Sequence, residues 1–129
     1  MSRRKSTQTV LIQMIEIFQP TIFDWMAGEI DETKHLTFHH IKKRENGGRT
    51  TIGNGAILTR SSHRVLNMIE YLNPELYWEW ELLFRAINVD RCPPCEEHIR
   101  VMQSLKIYSK ETILQRPEKK LVLKNNKIS

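Results

Sequence analysis

Three of the five histidines fall in one short stretch of the chain, with an asparagine between them. His39 and His40 are adjacent, Asn54 lies 14 residues after His40, and His63 lies 9 residues after Asn54. Neutral imidazoles bind divalent metals, and an imidazole that is not a ligand can take a proton from water near neutral pH. Each histidine alone also fits an ordinary polar position on a half-buried strand or helix. Together with Asn54, they indicate a hydrolytic site that uses a metal ion.

Basic side chains surround these histidines. Residues 35–70 hold six Lys and Arg against two Glu, whereas residues 71–100 hold three Arg against six acidic side chains. A basic zone beside candidate catalytic imidazoles suits a phosphodiester or another polyanion. The alternative is a solvated loop with no partner. The basic residues of this zone are Lys42, Lys43, Arg44, Arg49, Arg60 and Arg64.

Hydrophobic periodicity and turn residues predict the elements that position these side chains. Apolar residues at helical spacing alternate with two short strand-like runs, which are joined by a loop rich in glycine and charge. The pattern predicts an α+β fold. The expected order is a helix ending at Gln19–Pro20, one more turn over 22–26, strands at 35–41 and 56–59, a helix capped by Ser61 or Ser62, a helix from Asn73–Pro74 and a helix from Pro93–Pro94.

Length and composition favour one intracellular domain. The chain has 129 residues, of which 40% are hydrophobic and 27% charged, and this suits one domain over residues 1–112 with a basic tail at 113–129. No apolar run approaches the ~18–20 residues that cross a bilayer, and the N-terminus lacks the features of a signal peptide. The two cysteines, Cys92 and Cys95, are interpreted as free thiols in a helix-capping turn.

The segments Leu36-Thr-Phe-His-His-Ile41 and Asn54-Gly-Ala-Ile-Leu-Thr-Arg-Ser-Ser-His63-Arg-Val-Leu-Asn67 resemble the HNH endonuclease family. The run Asn-x-x-x-Leu-Thr-Arg-Ser is also similar to the HNH domains of RNA-guided CRISPR nucleases. The resemblance covers about residues 34–72. It implies a ββα-metal core of two short antiparallel strands and a helix, here flanked by an N-terminal helix and two C-terminal helices.

The resemblance also implies a role for each matching residue. His39 and His63 would be metal ligands, and Asn67, one helical turn after His63, would supply a third ligand or a contact through water. His40 would be the general base that activates the attacking water. Asn54 would hold the loop so that His40 is correctly oriented. The metal would bind a non-bridging oxygen of the scissile phosphate and stabilise the leaving 3′ oxygen.

Two departures from the family pattern bear on the metal. Many members carry Cys-x-x-Cys pairs that bind a structural zinc, but Thr59 and Ser62 stand where one such pair usually lies. His39 stands where an aspartate is common. The expected cofactor is a divalent cation, Mg²⁺ or Mn²⁺, and the two imidazoles also admit Zn²⁺ or Ni²⁺.

The resulting expectation is a metal-dependent endonuclease that nicks DNA, with RNA also open as a substrate. The resemblance places it among proteins of phages and mobile elements, in the cytoplasm of a bacterium or of a phage-infected host cell. The alternative is an HNH-like protein that binds nucleic acid, or regulates or inhibits a nuclease, without catalysis of its own. A homodimer or a protein partner is compatible with both, whereas a membrane is not expected. Replacement of His40 by alanine separates the two, because a binder keeps its affinity without that imidazole.

Overall fold

The computed structural model describes residues 6–31 and 35–115 of the chain. Within these ranges, four helices pack around a two-stranded antiparallel sheet, which confirms the α+β class. None of the described helices is both long and apolar enough to cross a membrane. From residue 116 onward, the expected basic tail lies outside the described residues. The elements are α1 (Thr7–Phe18), β1 (Leu36–His40), β2 (Gly55–Thr59), α2 (Arg60–Leu72), α3 (Pro74–Asp90) and α4 (Glu96–Leu114), with 3₁₀ turns at Arg44–Asn46 and Ile52–Asn54.

Alternation along β1 sends its two histidines to opposite faces of the sheet. His40 shares a face with Phe38, and a Cβ on Gly55 would lie only 2.3 Å from the Phe38 ring on that face. α1 packs against the same side. His39 points to the other face, which α2 and α3 cover. Because both faces of β2 are covered, all of its residues, Gly55–Thr59, are buried.

The buried carboxylate of Asp24 fixes the segment that runs beside β2. One oxygen accepts the backbone N–H groups of Met26 and Gly28 at 2.8 and 2.7 Å. The other accepts the backbone N–H and the hydroxyl of Thr59, both at 2.8 Å. The extra helical turn expected over 22–26 is therefore wrong, because these backbone donors bind the Asp24 carboxylate in a turn.

The start of α2 also differs from the sequence-based expectation. Thr59, rather than Ser61 or Ser62, is the N-cap, and its hydroxyl oxygen accepts the backbone N–H of Ser62 at 3.1 Å. Thr59 can play this part because its own hydroxyl proton is donated to Asp24, which leaves oxygen lone pairs for the helix. The first turn of the helix that carries His63 is thereby tied to the buried segment.

α4 begins three residues later than the double proline suggested. Pro93–Pro94 lie in the connection, Cys95 is the N-cap, and Glu96 is the first helical residue. Both cysteines are free and exposed, so their interpretation as thiols at a helix-capping turn is confirmed.

Aromatic packing under the sheet positions α3. The Phe18 and Trp25 rings meet edge to face with centroids 4.9 Å apart, and Phe84 stacks on Trp80 at 6.0 Å. The buried Trp80 Nε1 donates to the hydroxyl of Ser109 on α4 at 2.8 Å. These contacts hold the α3 surface on which the His39 side chain packs.

Candidate functional site

The His39 and His63 side chains meet between β1 and α2. Their ring centroids lie 5.3 Å apart with an angle of 87° between the ring planes. The two residues are 24 positions apart in the chain. β2 runs antiparallel to β1, and α2 starts directly after β2, so the first turns of the helix return to the middle of β1.

His39 is a buried, neutral imidazole. Its side chain packs edge to face on Phe84, with ring centroids 5.8 Å apart, and only 6% of the residue is exposed. Burial is the main cause that lowers the pKa of His39 to about 3, and repulsion from His63 and Lys43 adds to it. Its buried Nε2 has no hydrogen-bond partner among the described residues. A buried nitrogen left without a partner costs about 1–3 kcal/mol.

His63 is half-buried and is held by the side chain of Thr37. Its Nδ1 lies 3.0 Å from the hydroxyl oxygen of Thr37, and that hydroxyl donates to the carbonyl oxygen of Leu58 at 2.7 Å. Burial lowers the pKa of His63 as well. Both imidazoles of the pair are thus neutral at physiological pH, which is the state that binds metal.

His40 lies on the other face, toward the loop between the strands. Its ring is edge to face with Phe38 at a centroid distance of 4.7 Å, and its Nε2 lies 2.9 Å from the hydroxyl oxygen of Thr50. Partial burial lowers the pKa of His40 first, and the charges of Arg44 and His63 lower it further. The imidazole is therefore unprotonated near neutral pH. Because Thr50 engages Nε2, a water molecule would have to approach Nδ1.

Asn54 ties the two ends of this loop together. Its side-chain oxygen accepts the backbone N–H of Lys42 at 2.8 Å, and its amide group donates to the carbonyls of Lys42 at 3.0 Å and Arg49 at 2.8 Å. The loop is tight, since a Cβ on Gly48 would lie 1.7 Å from the carbonyl oxygen of Lys42. Thr50, which contacts the His40 ring, directly follows Arg49, one of the two residues to which Asn54 is hydrogen-bonded.

Asn67 lies on the same side of α2 as His63, one turn further along the helix. It is exposed and lines an open depression of about 540 Å³ together with Thr37, His63 and the two arginines of the helix, Arg60 and Arg64. Both arginines are exposed. A phosphate that entered this depression would meet two positive charges beside the His63 ring.

Two of the four predicted basic residues of the loop line a second concavity, on the His40 side. Arg44 and Arg49 border a groove of about 1310 Å³ between the loop and the N-terminal turn of α1. Thr50, which contacts His40, belongs to the same wall. Arg91, which follows α3, also lines this groove and was not predicted from the sequence. His40 thus contacts a wall residue of a groove whose lining holds three arginines and one glutamate, Glu45.

The two loop lysines have different surroundings. Lys42 is exposed, whereas the Nζ of Lys43 lies 2.5 Å from a carboxylate oxygen of Glu70 on α2. The hydrogen bond to Glu70 raises the pKa of Lys43. Lys43 therefore joins the loop to α2, and its charge is partly neutralised there.

The side chains predicted to bind a metal are two imidazoles and one amide. Among the described residues, no group of three or more His, Cys, Asp and Glu side chains is arranged to hold a metal. Of the predicted ligands His39, His63 and Asn67, only His63 and Asn67 line the open depression, while His39 contacts His63 from the buried side. Two neutral imidazoles, one with a buried unpaired nitrogen, suit Mn²⁺, Ni²⁺ or Zn²⁺ better than Mg²⁺.

Sequence reasoning missed the two threonines that hold the histidines. Thr37 lies two residues before His39 in β1, so the period of a strand places both side chains on one face and could have indicated it. Thr50 lies in an irregular loop, where no periodicity shows which way a side chain points. The structure brings His39 and His63 together on one face of the sheet and places His40 on the other face, with arginines on both sides. No family model, curated protein or solved structure matches the chain.

Proposed function

We propose that this protein is a metal-dependent HNH-type endonuclease that hydrolyses DNA phosphodiester bonds and nicks one strand at a time. The observation that carries the proposal is the contact between the His39 and His63 rings, whose centroids lie 5.3 Å apart. On the other face of the same sheet, His40 lies beside a loop that the hydrogen bonds of Asn54 hold in place. A structural histidine cluster has no need of a base held on the opposite face by its own threonine. The arrangement therefore supports chemistry more than packing.

The ligand side of the site consists of His39, His63 and Asn67. Their neutral nitrogens and amide oxygen would hold a divalent cation without a proton having to leave first. When bound, the cation would supply positive charge at the scissile phosphate, which is usually the largest contribution to such catalysis. Arg60 and Arg64 attract the phosphate into the same depression.

The base side of the site consists of His40 and its support. The pKa of His40 is lowered, which keeps the ring neutral. In the tautomer that donates Nε2–H to Thr50, Nδ1 has the lone pair that accepts a proton from the attacking water. Asn54 keeps this geometry by fixing the backbone on both sides of the loop. Arg44 and Arg49 hold the nucleic-acid backbone along the groove beside His40.

The test is nicking of supercoiled plasmid DNA with Mg²⁺, Mn²⁺, Ni²⁺ or Zn²⁺ in turn, with an EDTA control. We expect metal-dependent conversion to the open circle, strongest with Mn²⁺, Ni²⁺ or Zn²⁺. The variant His40→Ala should lower the rate about 10²–10⁴-fold, the range that general-base catalysis supplies. The matched control is His98→Gln, which changes a histidine on α4 away from the site and should keep the wild-type rate.

An HNH-like binding protein without catalysis is the second candidate. The observation that favours it is that the candidate ligands are only two imidazoles and an exposed amide, with no carboxylate among the three. Salt-sensitive DNA binding that is equal for wild type and His40→Ala, without nicking by either, would support this reading. Nicking that is lost only in His40→Ala would exclude it.

A further inference from the structure

We infer that Thr37 is the positioning residue that fixes the tautomer of His63, so that Nδ1 carries the proton and Nε2 presents its lone pair to a ligand. The inference rests on the proposed function only for the identity of that ligand. The tautomer itself follows from the contacts of the metal-free protein.

The hydroxyl of Thr37 has one proton, and the geometry assigns it. Oγ1 lies 2.7 Å from the carbonyl oxygen of Leu58. A carbonyl oxygen only accepts hydrogen bonds, so at this distance the hydroxyl must donate to it. The oxygen of Thr37 therefore has only lone pairs available for its second contact.

His63 must therefore donate to Thr37. Its Nδ1 lies 3.0 Å from Oγ1, and two lone pairs facing each other at that distance would repel. The contact is favourable only if Nδ1 carries the proton. A neutral imidazole has a single N–H, so Nε2 then holds a free lone pair. In water the side chain prefers the opposite tautomer, so the protein selects the less common one.

The position of Thr37 makes this control specific to the His39–His63 pair. Thr37 lies two residues before His39 on the same strand face, and it faces Leu58 of β2 in the sheet register. The strand β1, which carries the candidate ligand His39, thus also orients the candidate ligand His63 through Thr37. Partners of this kind fix the ring orientation and tautomer of metal-binding histidines, and their loss typically costs 10–100-fold in affinity.

The first measurement is the tautomer of His63 in the metal-free protein. Two-bond ¹H–¹⁵N correlation spectra of protein with ¹⁵N-labelled histidine distinguish the two neutral forms, and the His63→Gln variant assigns the signals. We expect His63 of the wild type to be protonated at Nδ1. Protonation at Nε2 in the wild type would overturn the inference without reference to any variant.

The variants Thr37→Val and Thr37→Ser then test the cause. Valine keeps the shape but removes the hydroxyl, so the Nε2-protonated form should appear and the affinity for Ni²⁺ or Mn²⁺ should fall 10–100-fold in calorimetric titration. Serine keeps the hydroxyl and should retain both properties. Thr50→Val is the matched control, because it removes the threonine that contacts His40 and should leave the His63 tautomer unchanged.

The outcomes separate this inference from the proposed function. An unchanged tautomer in Thr37→Val overturns the role of Thr37, whatever the nuclease activity. If Thr37→Val loses the native spectrum, Thr37→Ala replaces it, with Thr37→Ser as the folded reference. The assigned tautomer with a Thr37-dependent affinity for Ni²⁺ supports the inference even in a protein that nicks no DNA, and in that case only the nuclease proposal fails.

Discussion

In the proposed mechanism, the contact with Thr50 leaves Nδ1 as the nitrogen of His40 that would act as the base. The hydroxyl oxygen of Thr50 lies 2.9 Å from Nε2, so Nδ1 accepts a proton from water only while Nε2–H is donated to Thr50. Thr50→Val removes this acceptor and should lower the nicking rate by roughly five- to tenfold, the equivalent of one hydrogen bond of about 1 kcal/mol. Thr50→Ser should retain the rate. In a His40→Ala background, Thr50→Val should have no further effect, and an additional loss there would contradict the proposed role.

His39 couples the stability of the metal-free protein to pH. Burial lowers the pKa of His39 from 6.5 to about 3, so below pH 6.5 the unfolded chain binds a proton that the folded protein does not. The stability that this shift contributes is complete above the unfolded pKa and is lost as the pH falls toward the folded one. We expect His39 alone to lower the free energy of unfolding by about 2 kcal/mol between pH 7 and pH 5.

Urea unfolding in EDTA at pH 7, 6 and 5 measures this dependence. The pKa of His40 and of His63 is also lowered, which adds to the slope, whereas burial raises the pKa of the Glu81 carboxyl and acts against it. The comparison with His39→Leu isolates the contribution of His39, because the other groups are common to both proteins. Equal slopes for wild type and His39→Leu would show that His39 is not the cause.

The loop between β1 and β2 behaves as one element because Asn54 fixes its ends. The Asn54 side chain makes three hydrogen bonds to the backbone of Lys42 and Arg49. At about 1 kcal/mol each, Asn54→Ala should cost roughly 2–3 kcal/mol of unfolding free energy. It should also speed amide hydrogen exchange at Lys42. Asn46→Ala, a change at an exposed asparagine of the same loop, serves as the control and should leave both unchanged.

The secondary structure nearest to the site was predictable because its signals are local. Alternating apolar residues identified β1, a short apolar run identified β2, and the proline at position 20 marked the end of α1, whose last residue is Phe18. Of the two tryptophans in α3, only one can face the core, and Trp80 is buried while Trp78 is 54% exposed. The approach of His63 to His39 follows from the same local order of strand, loop, strand and helix.

Contacts between distant residues set the features that were missed. Residues 22–26 have a helical apolar spacing, but Asp24 bonds to Thr59, which lies 35 positions away in the chain, and this contact decides both the turn and the cap of α2. The hydrogen bond between Thr50 and His40 likewise depends on the conformation of the loop, which the hydrogen bonds of Asn54 stabilise. The spacing of residues in the sequence predicts neither the contact of Asp24 with Thr59 nor that of Thr50 with His40, because irregular backbone has no period.

Across the whole molecule, positive charge lies on both sides of the sheet. Arg60 and Arg64 border the depression beside His63, and Arg44 and Arg49 border the groove beside His40. A nucleic-acid backbone that contacts both would have to pass the edge of the sheet that separates the two histidine faces. In the proposed nuclease, the scissile phosphate would have to lie at this edge.

The salt dependence of DNA binding tests this path. Each phosphate neutralised by a basic side chain adds about 0.9 to the slope of log K against log salt, so Arg60→Ala with Arg64→Ala should reduce the slope by up to about 2. Arg44→Ala with Arg49→Ala should reduce the slope by a similar amount. The variant with all four substitutions should reduce it by nearly the sum of the two reductions. Fluorescence anisotropy with a short duplex between about 50 and 200 mM salt provides the slopes. Arg100→Ala, at an exposed arginine of α4 outside both groups, controls for the loss of net charge. The control removes one charge and each pair removes two, so if the control flattens the slope half as much as an arginine pair does, binding follows net charge and the proposed path is wrong.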